Sequence, residues 1–313
     1  MDLVFCGTPL FAVPTLERLL DAGFSVKLVV TQPDRASGRS MELMMSPVKR
    51  SALERGLPIV QPDKIKSNDE LRARLESIRP EAIIVVGYGQ IIPQWMIDLP
   101  KLGNLNLHAS LLPKYRGAAP IQWAIANGEL VTGVTTIRID AGLDTGDILL
   151  QAEEPIRPED TALTLSPRLA HRGAELMIST LAGLVNGTIH PLPQDNARAT
   201  LAPILKREDG QIDFSRTATE TWNRLRGFQP WPGAFTLFRG KTLLLHAAVP
   251  APEVPLVKAG HFVVENDHLL LGFAHGTTLE VLELRVEGKK RMSARDFING
   301  YRPRSEETLG VTA

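Results

Sequence analysis

A series of short apolar runs, separated by helix-length segments, limits what this chain can fold into. Leu3–Cys6 and Ile83–Val86 are apolar throughout, and Val26–Val30 is largely β-branched. Strands this apolar need cover on both faces, as in a parallel sheet wound through helices. Between the first two runs, Leu16, Leu19 and Leu20 recur at helical spacing until Gly23, a suitable helix end. Leu105–Leu107 and Val134–Ile139 continue the strand series. The first half is therefore expected to be α/β: a doubly wound, Rossmann-like, mostly parallel sheet. Gly7-Thr8-Pro9 makes a tight turn after the first strand. No Gly-x-Gly-x-x-Gly follows it, so NAD or FAD binding has no sequence support.

With 313 residues, 43% of them hydrophobic, the chain has enough apolar material for two cored domains. A long helix is expected over Leu165–Val185, with Leu169, Leu176, Leu181 and Leu184 on its buried stripe and Asn186-Gly187 closing it. The text then turns polar and proline-bearing, and residues 188–204 read as a linker. Beyond it, Thr242–His246, His261–Val264, His268–Leu271 and Thr278–Leu282 are short strand-like runs broken by Gly and Pro. That pattern suits a smaller OB-like β-barrel. The expected division is a catalytic domain over 1–187, the linker, and a C-terminal domain over 205–313.

Met1–Gly7 has no basic n-region and no cleavage site, so it is read as a strand rather than a signal peptide. No window approaches 18 consecutive apolar residues, so no membrane helix or membrane partner is expected. The single cysteine, Cys6, cannot form an internal disulfide, which fits a cytoplasmic protein. Nothing near Cys6 would lower its pKa, so it reads as a small buried residue rather than a nucleophile. A monomer is expected. The charges balance at 35 Lys+Arg against 35 Asp+Glu, and only local clusters can argue for a nucleic-acid partner.

Asn104-Leu105-Asn106-Leu107-His108 carries the strongest chemical signal. Strand alternation puts Leu105 and Leu107 on one face and Asn104, Asn106 and His108 on the other. Three polar side chains inside a covered sheet need a reason. They also lie towards the strand's carboxyl end, where open α/β sheets bind ligands. A hydrogen-bonded core Asn and His would be the plainer explanation. The loop that follows, Ala109 to Pro120, has little side-chain bulk, and loops at strand ends often carry function. A second stretch, Asp140 to Asp147, has glycines at 142 and 146 that let the backbone turn and bring Asp144 towards the same crevice. An amide, an imidazole and a carboxylate would then share one pocket. No further His, Cys or Glu completes a metal set at useful spacing. A Ser-His-Asp hydrolase built on Ser110 lacks the glycines of a nucleophile elbow. Acyl transfer to an external amine suits the trio better, with Asn106 and His108 donating to an oxyanion and Asp144 holding His108.

Asn106-Leu107-His108-Ala109-Ser110-Leu111-Leu112-Pro113, with Arg116-Gly117-Ala118-Ala119-Pro120-Ile121, resembles the formyltransferases that use 10-formyltetrahydrofolate. Gly133-Val134-Thr135-Thr136-Ile137 through Gly142-Leu143-Asp144-Thr145-Gly146-Asp147 resembles that family's active-site signature, and the likeness runs on to Gly288–Ala294. The resemblance implies that Asn106, His108 and Asp144 are catalytic. It further implies a folate site at Ser110, Leu111, Leu112 and Pro113 with Val86, Gly87, Tyr88 and Gly89. 10-Formyltetrahydrofolate would be a co-substrate, with no metal and no permanently bound cofactor.

The acceptor is a separate question. Gln32 to Arg39, with its Ser46-Pro47-Val48-Lys49 ending, is similar to a loop inserted in the family's tRNA-acting members, where it contacts the acceptor end of initiator tRNA. The likeness implies that Arg39 and Lys49 bind tRNA and that the α-amine of initiator methionyl-tRNA is the acceptor. The family often continues with basic residues after the arginine, whereas this chain has Ser40-Met41-Glu42, leaving more of the phosphate contact to Arg39. A sugar-nucleotide amine is the alternative acceptor. In the second half, residues 285–304 hold seven basic side chains against Glu287 and Asp296. Such a run is commonly just a solvated face. On a small β-barrel it also makes Lys289, Lys290 and Arg291 candidates for tRNA phosphate contact. Gln229-Pro230-Trp231-Pro232 reads as a packing turn rather than a base-stacking platform.

Overall fold

In a computed structural model, residues 1–37, 42–251, 257–305 and 307–310 are described. They form two compact units. The first comprises Met1–Pro120, Val131–Pro155 and Ser166–Pro203; the second comprises Ile121–Leu130, Ile156–Leu165 and the chain from Ile204 onward.

The first unit is built on a seven-stranded sheet. Its strands are β1 (Asp2–Gly7), β2 (Ser25–Val30), β5 (Ile59–Val60), β6 (Ala82–Val86), β7 (Asn104–His108), β8 (Val131–Arg138) and β9 (Ile148–Pro155), and a hairpin of β3 (Arg35–Ser37) and β4 (Glu42–Met44) stands apart from it. The order is β5-β2-β1-β6-β7-β8-β9. The pairs from β5 to β7 are parallel, while β7–β8 and β8–β9 are antiparallel. The helices are α1 (Val13–Asp21), α2 (Pro47–Glu54), α3 (Asp69–Ile78), α4 (Gln94–Ile97) and, from Ser166 onward, α6 (Ala162–Val185); α5 (Pro120–Ala126) belongs almost wholly to the second unit. As expected, the strands from the apolar runs are covered on both faces. Val4, Cys6, Leu28, Val30, Ile83 and Val85 pack with Leu71 and Leu75 of α3 and Met96 of α4. Burial raises the Cys6 thiol well above its usual range, so the side chain is inert packing.

The long helix begins three residues before the expected start, and Leu169, Leu176 and Leu181 are buried on it while Leu184 is half-buried. It lies against the Leu107 side of β7. A Cβ on Gly173 would sit 2.5 Å from Leu107, and Thr180 shares a 2.8 Å hydroxyl hydrogen bond with Thr136 of β8. Burying a leucine such as Leu107 stabilises the fold by about 1.5–3 kcal/mol. This packing leaves the opposite face of β7 to its polar side chains.

The second unit is an antiparallel sheet of the kind the short runs suggested. Its strands are β10 (Ala234–Phe238), β11 (Lys241–Pro250), β12 (Phe262–Glu265), β13 (His268–Gly272), β14 (Thr278–Val286) and β15 (Met292–Ser293), in the order β10-β11-β14-β13-β12 with β15 on β14. Besides α5, the unit holds α7 (Ala218–Gly227) and α8 (Ala294–Tyr301), each started by a capping box, Thr217/Glu220 and Ser293/Asp296. Phe238, Phe262, Phe273 and Phe297 fill its core. Among the described residues, no helix is long and apolar enough to cross a membrane.

Candidate active site

The polar side chains of β7 divide their labour. Asn104 is fully buried, and its amide donates to the carbonyls of Met96 and Ile97 at 2.8 and 3.1 Å, closing the end of α4. It is structural. Asn106 and His108 face the second loop instead. The Asn106 amide nitrogen is 3.4 Å from Asp144 Oδ1, and His108 Nδ1 is 3.6 Å from Asp144 Oδ2. The other ring nitrogen, Nε2, lies 2.8 Å from the carbonyl of Tyr115. A carbonyl only accepts, so Nε2 carries a proton and Nδ1 is the nitrogen presented to the carboxylate.

Asp144 reaches this place by a route that β-strand direction explains. Because β8 runs antiparallel to β7, its last residues sit beside the start of β7, with Ile139 N–H bonded to the Asn104 carbonyl at 2.8 Å. The 139–147 segment then folds back along β7. Gly142 and Gly146 flank the turn as expected, and Asp144 itself is its left-handed residue, at φ 53°. Glycine is needed at 146 for space: a Cβ there would lie 1.8 Å from the Arg138 carbonyl oxygen. The Asp144 carboxylate also accepts the Gly117 N–H at 2.9 Å, which ties the two loops together. That donor was invisible in the sequence, because a backbone N–H leaves no residue signature.

The expected folate residues emerge from the carboxyl ends of adjacent parallel strands. Val86 ends β6, and Gly87 and Gly89 both take positive φ, at 55° and 83°. Tyr88 is buried, and its carbonyl accepts from Thr8 and Gln32. Ser110 is fully buried with its hydroxyl donated to the Lys114 carbonyl at 2.7 Å, so it shapes the 110–113 loop from within. Thr135 fixes the same loop, donating to the Ser110 carbonyl and accepting the Leu112 N–H, and Gln151 donates to the Leu112 carbonyl. Leu112 is buried, and Leu111 and Pro113 are half-buried. Thr135 entered the sequence reading only as part of Gly133–Ile137, with no role of its own, and Gln151 not at all. They hold backbone, and many polar strand residues do the same.

Arg39 lies outside the described residues. Lys49 lies in α2, and its ammonium pairs with Asp34 at 2.5 Å, while Gln61 donates to the other Asp34 oxygen at 2.8 Å. These contacts close the base of the β3–β4 hairpin. Leu43, Met44 and Met45 are exposed beside it, Leu43 at 75%, an apolar surface that the reading of charge had overlooked. In the second unit, Lys289, Lys290 and Arg291 are exposed, and Arg291 pairs with Glu283. The packing turn near 230 is anchored by the buried Phe228, whereas Trp231 is 55% exposed.

A family model described as Formyl transferase matches residues 1–181, and one described as Formyl transferase, C-terminal domain, matches residues 204–302. The chain is 65% identical over 310 residues to the methionyl-tRNA formyltransferase of Koribacter versatilis (strain Ellin345), covering 99% of each chain. It is 61% identical over 311 residues to the methionyl-tRNA formyltransferase of Acidobacterium capsulatum, covering 99% of this chain and all of that one. Among solved structures it is similar to a sugar 3N-formyl transferase crystallised in the presence of dTDP and 5-N-formyl-THF. The TM-score is 0.67 at 22% identity over 93% of this chain and 99% of that one. An N-formyltransferase from Helicobacter canadensis, in complex with folinic acid and dTDP-3-aminofucose, gives a TM-score of 0.66 at 21% identity over 89% and 98%. These two likenesses concern the fold.

Proposed function

This chain belongs to the formyl transferase family, and we propose that it transfers the formyl group of 10-formyltetrahydrofolate to the free α-amine of initiator methionyl-tRNA, giving N-formylmethionyl-tRNA. The acceptor is supported by relatives at 61–65% identity over nearly the whole chain that carry this activity in their names. The sugar enzymes share the fold at only 21–22% identity. The observation that carries the chemistry is the Asp144 carboxylate, held by a backbone N–H and facing both the Asn106 amide and the His108 ring.

In the proposed reaction the neutral amine attacks the formyl carbon, and charge develops on the formyl oxygen. Asn106 and the Nδ1–H of the doubly protonated His108 donate to that oxyanion, while Nε2–H stays on the Tyr115 carbonyl, and such fixed donors stabilise the transition state most. Asp144 orients the ring and accepts the proton that the amine loses, directly or through water. The same proton is returned to N10 as the carbon–nitrogen bond breaks, leaving tetrahydrofolate and the N-formyl product. No redox step is involved. The pterin lies along Ser110–Pro113 and Val86–Gly89.

Arg39, Lys49 and the hairpin hold the acceptor end in this reading, with the exposed Leu43–Met45 surface adding apolar contact. Residues 1–187 form the catalytic domain, 188–204 the connection, and 205–313 the part that holds the tRNA backbone through Lys289, Lys290 and Arg291. The enzyme acts as a cytoplasmic monomer, a reading supported by its one buried thiol for the compartment and open to sedimentation for the state. Parallel formylation assays with methionyl-tRNA and with amino-sugar nucleotides test the acceptor. Selective turnover of methionyl-tRNA is expected, and preference for the sugar nucleotide overturns the assignment.

A further inference from the structure

The segment that reads as a linker contains a side chain aimed at the catalytic loop. Gln194 Nε2 donates to the carbonyls of Asp144 and Gly146 at 2.8 and 2.7 Å. Its Oε1 accepts from Arg116 Nε and Nη2 at 3.1 and 2.8 Å. Both amide hydrogens and both lone pairs are thus engaged, and only one orientation of the amide satisfies all four neighbours. Flipping it would set an oxygen against two carbonyls and an NH2 against a guanidinium.

The guanidinium is itself fixed. Arg116 is only 7% exposed, and its Nη2 also donates to Asn196 Oδ1 at 2.8 Å. Its backbone is strung to the same segment: Arg116 N–H donates to the Thr200 carbonyl at 2.9 Å, and the Arg116 carbonyl accepts the Ala202 N–H at 2.7 Å. The 194–202 segment therefore grips the loop carrying Gly117 and, through Gln194, the loop carrying Asp144. The gripped residue is also the turn's left-handed one: Asp144 sits at φ 53°, a conformation aspartate adopts more readily than most side chains, and the two Gln194 hydrogen bonds hold its loop there.

We infer that Gln194 is a positioning residue for Asp144, locking its loop so that the carboxylate stays on Asn106 and His108, with Arg116 fixing the Gln194 amide. The inference rests on the catalytic reading of Asp144. Gln194 touches neither substrate nor reacting atoms. Its effect passes through the Asp144 backbone, where a displacement of about 1 Å can cost on the order of 10²-fold in rate.

The test is a double-mutant cycle on formylation of methionyl-tRNA, using the full chain with Gln194→Ala, Gln194→Glu, Asp144→Asn and the double variant Gln194→Ala/Asp144→Asn. Gln194→Ala is expected to lower kcat by about 10- to 100-fold, with KM for both substrates within about twofold. Gln194→Glu keeps an acceptor for Arg116 but cannot donate to the two carbonyls, so it is expected to be no better than Ala. In the Asp144→Asn background, removing Gln194 should cost little more, because the positioned group is already gone. Near-normal kcat in Gln194→Ala, or an equal fold-loss in both backgrounds, overturns the positioning role. Normal turnover by Asp144→Asn alone would instead sink the catalytic reading beneath it. Melting curves on each variant separate a folding defect from the expected kcat effect, and a Gln194→Ala loss explained by unfolded protein counts against the inference.

Discussion

The backbone N–H of Gly117 donates to Asp144 Oδ2 at 2.9 Å, so the loop after β7 and the loop after β8 share one hydrogen bond at the carboxylate. The same carboxylate faces Asn106 and His108, which makes its two oxygens the junction of the site. Asn106→Ala, His108→Ala and Asp144→Ala are each expected to lose most of the turnover while remaining folded. Deleting one oxyanion donor typically costs ~10²–10³ in kcat. Steady-state formylation beside thermal melts checks this, and near-normal kcat in Asn106→Ala would contradict its role as a donor.

Gly117 is constrained twice. Its φ is 122°, and a Cβ on it would meet the Ala202 carbonyl oxygen at 2.6 Å. Gly117→Ala therefore has to move the backbone that carries the N–H. It is expected to destabilise the protein by about 1–3 kcal/mol. It should also lower kcat, because the donor to Asp144 shifts. Urea melts combined with kcat measurements read both effects. Wild-type stability and rate together would mean that the loop relaxes without disturbing the carboxylate.

Lys49 and Asp34 form the clasp under the β3–β4 hairpin. The Lys49 hydrogen bond, with a second from Gln61, holds the Asp34 carboxyl below the usual carboxylate range. A group lowered in the folded state adds stability that is present above its unfolded pKa, about 3.9. That stability is lost as pH falls through the lower folded value. Lys49→Met should thus melt below the wild type near neutral pH, and the gap should narrow as the pH drops below about 4. The same variant is expected to raise KM for methionyl-tRNA with folate KM within about twofold, since the hairpin is assigned to the acceptor rather than the pterin. A gap in melting temperature that stays constant down to pH 3 would show that the pair contributes through packing alone.

The parallel core and the Asn106/His108/Asp144 grouping were legible because period and polarity speak locally. An all-apolar strand has one interpretation in an α/β chain, and three polar residues on one face of β7 break it visibly. The gaps are equally physical. Asn104 shares the face of Asn106 but turns to α4, a difference set by which neighbour each meets in space. Gln194 sits in a polar, proline-bearing stretch where nothing in the local pattern separates a bridging amide from a solvated one. The clasp of Lys49 on Asp34 spans fifteen residues, and sequence alone offers Lys49 as readily to phosphate as to a carboxylate. Gly142 and Gly146 mark in the sequence where the backbone can turn, but the positive φ falls on Asp144, because packing decides which residue makes the turn.

The basic strip of the second unit gives the last prediction. Lys289 and Lys290 are exposed on the turn after β14, while nearby Arg291 is held by Glu283. A paired guanidinium has part of its attraction for phosphate cancelled, so the two lysines should carry more of any backbone contact. Each phosphate neutralised in B-DNA contributes about 0.9 to the slope of log affinity against log salt, and folded tRNA should behave similarly. Lys289→Ala with Lys290→Ala is therefore expected to weaken tRNA binding and flatten that slope by roughly one to two units. The chemistry should be spared: with saturating tRNA, kcat stays within about twofold, because neither lysine belongs to the Asn106, His108 and Asp144 grouping. Binding titrations at several salt concentrations, with kcat measured on the same preparations, separate the outcomes. An unchanged affinity and slope in the double variant would make the strip a solvated face and move the tRNA contact elsewhere on the chain.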